Sequence, residues 1–426
     1  MRENPKYFPA LTRALVGTAL FAVALSAPTA ASAGGIDDQS FDQIERGHYL
    51  TIVGDCAACH TLPGSGHSFA GGRPIETPFG EIIAPNITPD PETGIGAWTD
   101  QEFINALTKG TGRNGMHLYP AMPYNYYTKV TRDDALAIRA YLKTVPAVQN
   151  LVHADQLPFP FSIRQSMIAW NMLFFSESPF QPSADKSAEW NRGAYLTEGL
   201  AHCGACHTPK NFLGGDKTSE RLRGYPLQGW FAPNITNDQR LGLGGWSVDE
   251  VAGYLKTGHN RTSAATGPMS ETLNLSTSRM TDADLHAIAA YLKDQLGAQP
   301  SPPAPPPAPD QSVMNKGAQI YADECAGCHK SNGEGAANLF PALNGSATVQ
   351  QIDPASLLHV VLRGARSVAT TPAPTAPAMP PFAWVLNDDQ VAAVLTYIRN
   401  SWGNAAPAVS ASDAGKARGD LAERND

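Results

Sequence analysis

The sequence predicts a mainly α-helical protein built from three tandem domains of one kind. Three observations carry that prediction. The pattern C-x-x-C-H occurs at Cys56–His60, Cys203–His207 and Cys325–His329, and these motifs use all six cysteines of the 426-residue chain. A short helical start precedes each motif: "RGHYL" from Arg46, "RGAYL" from Arg192 and "KGAQIY" from Lys316. An amphipathic helix closes each unit about a hundred residues later or less. Its three versions are "TRDDALAIRAYLKTV" from Thr131, "TDADLHAIAAYLKDQ" from Thr281 and "NDDQVAAVLTYIRNS" from Asn387.

The chain opens with a basic stretch (Arg2, Lys6, Arg13), an apolar run from Ala14 to Ala27, and the small residues Ala31, Ser32 and Ala33. This reads as a secretory signal peptide over 1–33, with export to a bacterial periplasm. The alternative, an uncleaved anchor, has a run short for a membrane span. A first domain is expected over 34–150 and an apolar connector over 151–185. The connector holds "LPFPFSIRQSMIAWNMLFF", interrupted by Pro158, Pro160, Arg164 and Asn171. It reads as an interdomain packing segment, with a membrane-surface or partner-docking patch as the alternative. A second domain follows over 186–297. Residues 298–311, "AQPSPPAPPPAPDQ", make a stiff proline-rich linker. The third domain spans 312–402, and the polar tail 403–426 is expected to be disordered. Domains one and two share "APNIT" (Ala84–Thr88, Ala232–Thr236) and a Gly-Trp element ending at Trp98 and Trp246, read as core residues. The third domain lacks this insert. Thr131, Thr281 and Asn387 are expected N-caps for the closing helices, each with an acidic or amide residue three positions on.

The spacing of the motif decides its chemistry. Cysteines three apart on a helical turn point to one side, so two thiols reach one flat object. That object is expected to be a haem, held by two thioethers, with the adjacent histidine facing the iron. Zinc sites of four cysteines place their two C-x-x-C pairs close in sequence, whereas these pairs lie more than a hundred residues apart. A thioredoxin-like pair suits one motif but not three. The thioether cysteines are therefore Cys56, Cys59, Cys203, Cys206, Cys325 and Cys328, and the proximal ligands His60, His207 and His329.

A haem that carries electrons needs a second axial ligand. Met122 lies 62 residues after His60, and Met269 lies 62 residues after His207. Met116 and Met280 match no such offset. Met379, 50 residues after His329, is the methionine between that histidine and the last closing helix. Met122, Met269 and Met379 are the expected distal ligands. The rival histidines are His117, His202, His259 and His359; His202 precedes Cys203 and points away from the iron, and the others read as surface or propionate-contacting residues. Arg46 and Arg192 read equally as propionate partners and as solvated charges at helix starts.

With the leader removed, 28 Lys and Arg face 38 Asp and Glu, a net charge of −10, which argues against a nucleic-acid partner. The chain carries no flavin fingerprint, no G-x-G-x-x-G after a strand and no nucleophile with partners. It has no catalytic residues of its own and moves electrons that another protein extracts. The alternatives are a free periplasmic shuttle without a fixed dehydrogenase and a multihaem peroxidase; three methionine ligands stand against the second.

Each of the three places resembles a class I cytochrome c domain. "FAGGRPIETPFGEIIAPNITPDPETGIGAWT", "LYPAMPY", "CGACHTPKN" and "WNRGAYL" further resemble the triple-haem cytochrome c subunit of bacterial membrane-associated dehydrogenases acting on alcohols, gluconate, sorbitol or fructose. The resemblance implies three covalent haems c and a catalytic subunit carrying flavin or pyrroloquinoline quinone. It implies attachment to the periplasmic face of the inner membrane, and ubiquinone or a terminal oxidase as acceptor. The chain departs from that family in its short, polar C-terminal tail.

Overall fold

A computed structural model describes residues 40–152, 155–296 and 306–424. The expected signal peptide and most of the proline-rich linker lie outside the described residues. The helices in chain order are α1 (Phe41–Val53), α2 (Cys56–His60), α3 (Asp100–Lys109), α4 (Tyr124–Tyr127), α5 (Arg132–Leu142), α6 (Ser166–Phe174), α7 (Ala188–Tyr195), α8 (Gly204–His207), α9 (Val248–Thr257), α10 (Pro268–Leu275), α11 (Asp282–Asp294), α12 (Gln311–Ile320), α13 (Ala326–His329), α14 (Ala347–Gln350), α15 (Ala355–Arg363), α16 (Asp388–Arg399) and α17 (Ala411–Ala422). Three antiparallel two-stranded hairpins complete the described elements: β1 (Pro74–Thr77) with β2 (Gly80–Ile83), β3 (Tyr225–Leu227) with β4 (Trp230–Ala232), and β5 (Ala365–Arg366) with β6 (Ala378–Met379). No described helix is long and apolar enough to cross a membrane.

One packing unit recurs. The helix before each motif crosses the closing helix: α1 on α5, α7 on α11, α12 on α16. At each crossing a glycine lets the two backbones touch. A Cβ on Gly47 or Gly193 would sit 1.8 Å from the carbonyl oxygen of Ala137 or Ala287, and one on Gly317 would sit 2.2 Å from that of Ala393. No other residue fits there. The expected N-caps form: Thr131, Thr281 and Asn387 each accept from the backbone N–H three residues on. Asn387 and Gln390 alone among these three complete the reciprocal box, because Asp134 and Asp284 are turned to another use.

That use corrects the reading of Arg46 and Arg192. The Arg46 guanidinium grips Asp134 at 2.5 Å, and Arg192 grips Asp284 through two bonds of 2.8 Å. Each arginine thus ties its first helix to its own closing helix. The second oxygen of each carboxylate accepts from a tyrosine of the other unit. Tyr195 Oη donates to Asp134 Oδ2 and Tyr49 Oη to Asp284 Oδ2, both at 2.6 Å. The exchange is reciprocal, so the first two units are clasped as a pseudo-symmetric pair. Their apolar residues also run together: Leu50, Leu107 and Ile138 share one core with Leu200, Leu285 and Ile288. The third unit has Gln319 and Gln390 where the others have tyrosine and aspartate, and it builds a separate core around Leu362, Val391 and Leu395.

The shared insert of the first two units has a structural meaning. Trp98 and Trp246 precede α3 and α9, which open with Thr99–Glu102 and Ser247–Glu250 capping boxes and close on Gly110 and Gly258 in the left-handed region. Of the connector, Trp170 on α6 is buried and donates to the Leu213 carbonyl, while Tyr124 donates to Asn171. Met172 (79 % exposed), Leu173 and Phe159 face outward, so the segment packs with one face only.

The tail is a further correction. Residues 411–422 form α17, opened by a Ser410–Asp413 capping box. Ala414 and Leu421 are buried in the third core. Arg418 donates to the Ala383 and Leu386 carbonyls and pairs with Asp388, and Arg424 reaches Glu76 on β1 at 3.0 Å. The composition looks like that of a disordered chain because the apolar face of this helix consists of alanines and one leucine.

Tyr195→Phe strips a buried carboxylate oxygen of its donor. The expected cost is about 1–3 kcal/mol of folding stability, read by denaturant unfolding, with a smaller loss for Tyr49→Phe, because Asp284 Oδ2 keeps its bond from Arg192.

Candidate haem sites

Each attachment turn follows its first helix within a few residues. In the first two units the turn is entered through a left-handed residue, Asp55 at φ 50° and His202 at φ 37°. Aspartate tolerates this region better than most residues, because its short side chain bonds locally. The third turn is entered through a widened helical turn over Tyr321–Cys325, without a left-handed residue. All six thiols are free; Cys59 and Cys328 are exposed and the other four half-buried. Burial pushes the Cys56 and Cys203 thiols up to about 12 and that of Cys325 up to about 11. Cys206 is also raised by burial. Thioredoxin-like and zinc-binding cysteines need the opposite shift, toward thiolate. Among the described residues no group of three His, Cys, Asp or Glu side chains converges as a metal site.

The three motif histidines share one feature that the sequence did not reveal. His60 Nδ1 donates to the Pro85 carbonyl at 2.8 Å, His207 Nδ1 to that of Pro233 at 2.7 Å, and His329 Nδ1 to that of Pro341 at 3.2 Å. A carbonyl only accepts, so Nδ1 carries the proton and Nε2 keeps its lone pair. Burial holds all three rings below the ordinary histidine value, with the carbonyl bond acting the other way. The rings therefore stay neutral and present Nε2 as a ligand, the arrangement second-shell partners give to metal-binding histidines. Pro85 and Pro233 belong to the repeated "APNIT". Asn86 and Asn234 hold that loop by accepting from the N–H and hydroxyl of Thr88 and Thr236. The third unit reaches the same result in 12 residues through "FPAL".

The methionines sort as follows. Met122 packs half-buried against the core that also receives Cys56. One cavity of about 460 Å³ is lined by Cys203, Cys206, His207 and Met269, and also by Cys325, Cys328, His329 and Met379. The second and third candidate sets thus border a common apolar space, with Trp246 on its wall. Met280 is 1 % exposed and fills the core, whereas Met116 is 44 % exposed. Among the rival histidines, His202 donates to the Leu200 carbonyl, His259 to that of Thr257, and His359 stacks on Trp230 at 3.8 Å.

These residues fit a covalently attached haem. Each set pairs two thiols on one turn with a histidine whose outer nitrogen is occupied by a carbonyl, and two of the sets border an apolar cavity, each with a methionine on its wall. A tetrapyrrole with axial nitrogen and sulfur ligands needs this combination of donors. The class so defined is a cytochrome c, and a cytochrome c family model matches residues 44–146 and 314–402. Closer relatives cover most of the chain. The gluconate 2-dehydrogenase cytochrome c subunit of Pantoea cypripedii is 41 % identical over 93 % of this chain and 95 % of its own length. The cytochrome c subunit of the quinone alcohol dehydrogenase of Komagataeibacter europaeus is 40 % identical over 88 % and 84 %. The fructose dehydrogenase cytochrome subunit of Gluconobacter japonicus is 39 % identical over 86 % and 81 %. The chain belongs to the family of cytochrome c subunits of bacterial dehydrogenases.

Asp55 stands out beside the first attachment turn. One of its oxygens is buried without a partner. Burial, and then the charge of Glu271, raise its carboxyl from the ordinary 3.8 to about 8. A raised carboxyl stabilises the fold fully below the unfolded value and loses that contribution as pH climbs from about 4 to about 8. Asp55→Asn, which stays neutral, is expected to be more stable than the parent above pH 8 by up to a few kcal/mol, with the gap closing towards pH 4. Unfolding curves across that range measure it.

Proposed function

We propose that the chain is a three-haem periplasmic electron carrier. It takes electrons from a partner dehydrogenase, carrying flavin or pyrroloquinoline quinone, that oxidises an alcohol, polyol or sugar acid. It passes them to ubiquinone. The observation that carries this reading is the threefold recurrence of a thiol pair with a carbonyl-anchored histidine. The names of the relatives support the dehydrogenase partner, and the alcohol dehydrogenase relative's printed name supports the quinone.

In this reading the chain forms three cytochrome c domains over 34–150, 186–297 and 312–402. Cys56, Cys59, His60 and Met122 hold the first haem; Cys203, Cys206, His207 and Met269 the second; Cys325, Cys328, His329 and Met379 the third. Bound haem supplies one-electron exchange at iron. The chain supplies the rest. The cysteines would fix the group's position, the proline carbonyls orient the histidines, and the methionines would offer the iron a sulfur donor that keeps the potential high. The apolar cavity wall keeps water away. Attachment to the periplasmic face of the inner membrane is peripheral. The outward Met172 and Leu173 support this, since the one charge within 156–176, Arg164, is held internally by Asp155.

Two outcomes are expected. Protein matured with its cytochrome assembly machinery has an intact mass three haems above the chain; fewer overturns the count. Met122→Ala keeps all three haems but lowers one potential and removes about a third of the sulfur-to-iron absorbance in the red. Met116→Ala leaves that absorbance alone. In the complex, Met122→Ala slows quinone reduction, while substrate oxidation persists with an artificial acceptor drawing directly on the catalytic subunit.

A further inference from the structure

The helix that carries Met269 is held from outside its own unit. Glu271, two residues on, accepts both nitrogens of the Arg73 guanidinium, at 2.5 and 2.9 Å. Arg73 belongs to the first unit, and its Nη1 also donates to the carbonyl of Ala58, between Cys56 and Cys59. Helix α10 packs on α2 accordingly. At its other end Ser276 Oγ donates to the carbonyl of Val53, the last residue of α1. Within its own unit α10 begins after Gly267, a left-handed residue whose missing Cβ leaves room for Trp230. The start carries Pro268 at its first position and no side-chain cap, and Ser270 donates to the Ala265 carbonyl.

We propose that Arg73 and Glu271 form a positioning latch through which the first attachment turn sets the placement of Met269 in the second site. The latch rests on the reading of Met269 as a distal ligand. A bidentate arginine–carboxylate pair fixes direction as well as distance. The same guanidinium bonds the Ala58 carbonyl, so a shift of the first attachment turn moves the first turn of α10, which carries both Met269 and Glu271. The second site then depends on a side chain of the first. Units one and two cannot be separated without loosening a ligand.

Arg73→Gln and Glu271→Gln, made in the full chain matured with haem, test this. Each is expected to keep three haems by mass. Each is expected to weaken the red sulfur-to-iron absorbance by up to about a third and to lower one potential while two stay in place. The charge-reversed pair Arg73→Glu with Glu271→Arg is expected to recover part of that absorbance. Arg192→Gln breaks an ion pair within the second unit, whose Asp284 also takes Tyr49 of the first, and is expected to leave the absorbance unchanged. Where Arg73→Gln fails to mature, Glu271→Gln decides, because it leaves the Ala58 bond intact. Wild-type absorbance and potentials in both single variants, alongside a loss of a third in Met269→Ala, overturn the latch. An equal loss in Arg192→Gln also overturns it, since general loosening then explains the effect. Full absorbance in Met269→Ala overturns the ligand reading, and the latch falls with it.

Discussion

The structure depends on the backbone contact where the helix before each attachment turn crosses the closing helix. Gly47, Gly193 and Gly317 bring two helices so near that no Cβ fits between them. A contact this close fixes the crossing along both axes, because any slide drives a side chain into a carbonyl. The attachment turn is the direct continuation of the first helix. Its thiols and histidine are therefore placed by a rigid joint, and the joint is one a flexible side chain could not supply.

From that joint the remaining ligand geometry is reached by short polar bonds. The histidine ring is the one part of the turn free to rotate, and a proline carbonyl from the following loop stops it. Proline suits the role: its ring fixes φ, so the direction of its carbonyl varies little. The loop is secured in turn by the buried Asn86 and Asn234. A chain of this kind, from helix crossing to turn to ring, leaves little to be organised when the cofactor is attached.

Much of this was legible in sequence. The repeats, the closing helices and their caps follow from periodicity and from residue types with one main use, such as cysteine three apart or threonine before an apolar helix. The helical tail was missed because alanine carries little hydrophobic signal. The clasp was missed because a charge pattern does not say which partner a side chain will choose. Arg46 finds Asp134, 88 residues away, and Tyr195 reaches the same carboxylate from another unit. The proline carbonyls escaped notice for a related reason: a backbone acceptor leaves no residue-type signature, and "APNIT" marks the loop without stating what it points at. The crossed placement of Arg73 against Glu271 has no signature at all, since it joins segments 198 residues apart.

The contrast between the first two units and the third follows from the same physics. Asp134 and Asp284 are buried charges, each stable only because an arginine and a tyrosine satisfy it. One of those partners lies in the other unit, so each carboxylate is fully satisfied only when the two units are together. In the third unit the amides Gln319 and Gln390 replace the tyrosine and the aspartate. Gln390 caps its own helix, no buried charge demands an outside donor, and the core is self-contained. Its contacts to the neighbours include Ser356 with the Phe231 backbone, His359 on Trp230, Arg424 on Glu76, Arg240 on the Ala405 carbonyl and Ser346 on that of Thr262. The first two units are thus built as one body by interlocked charges, whereas the third joins the second through apolar contact, with Val368 packed against Ala265 and Leu273 and a cavity lined by both.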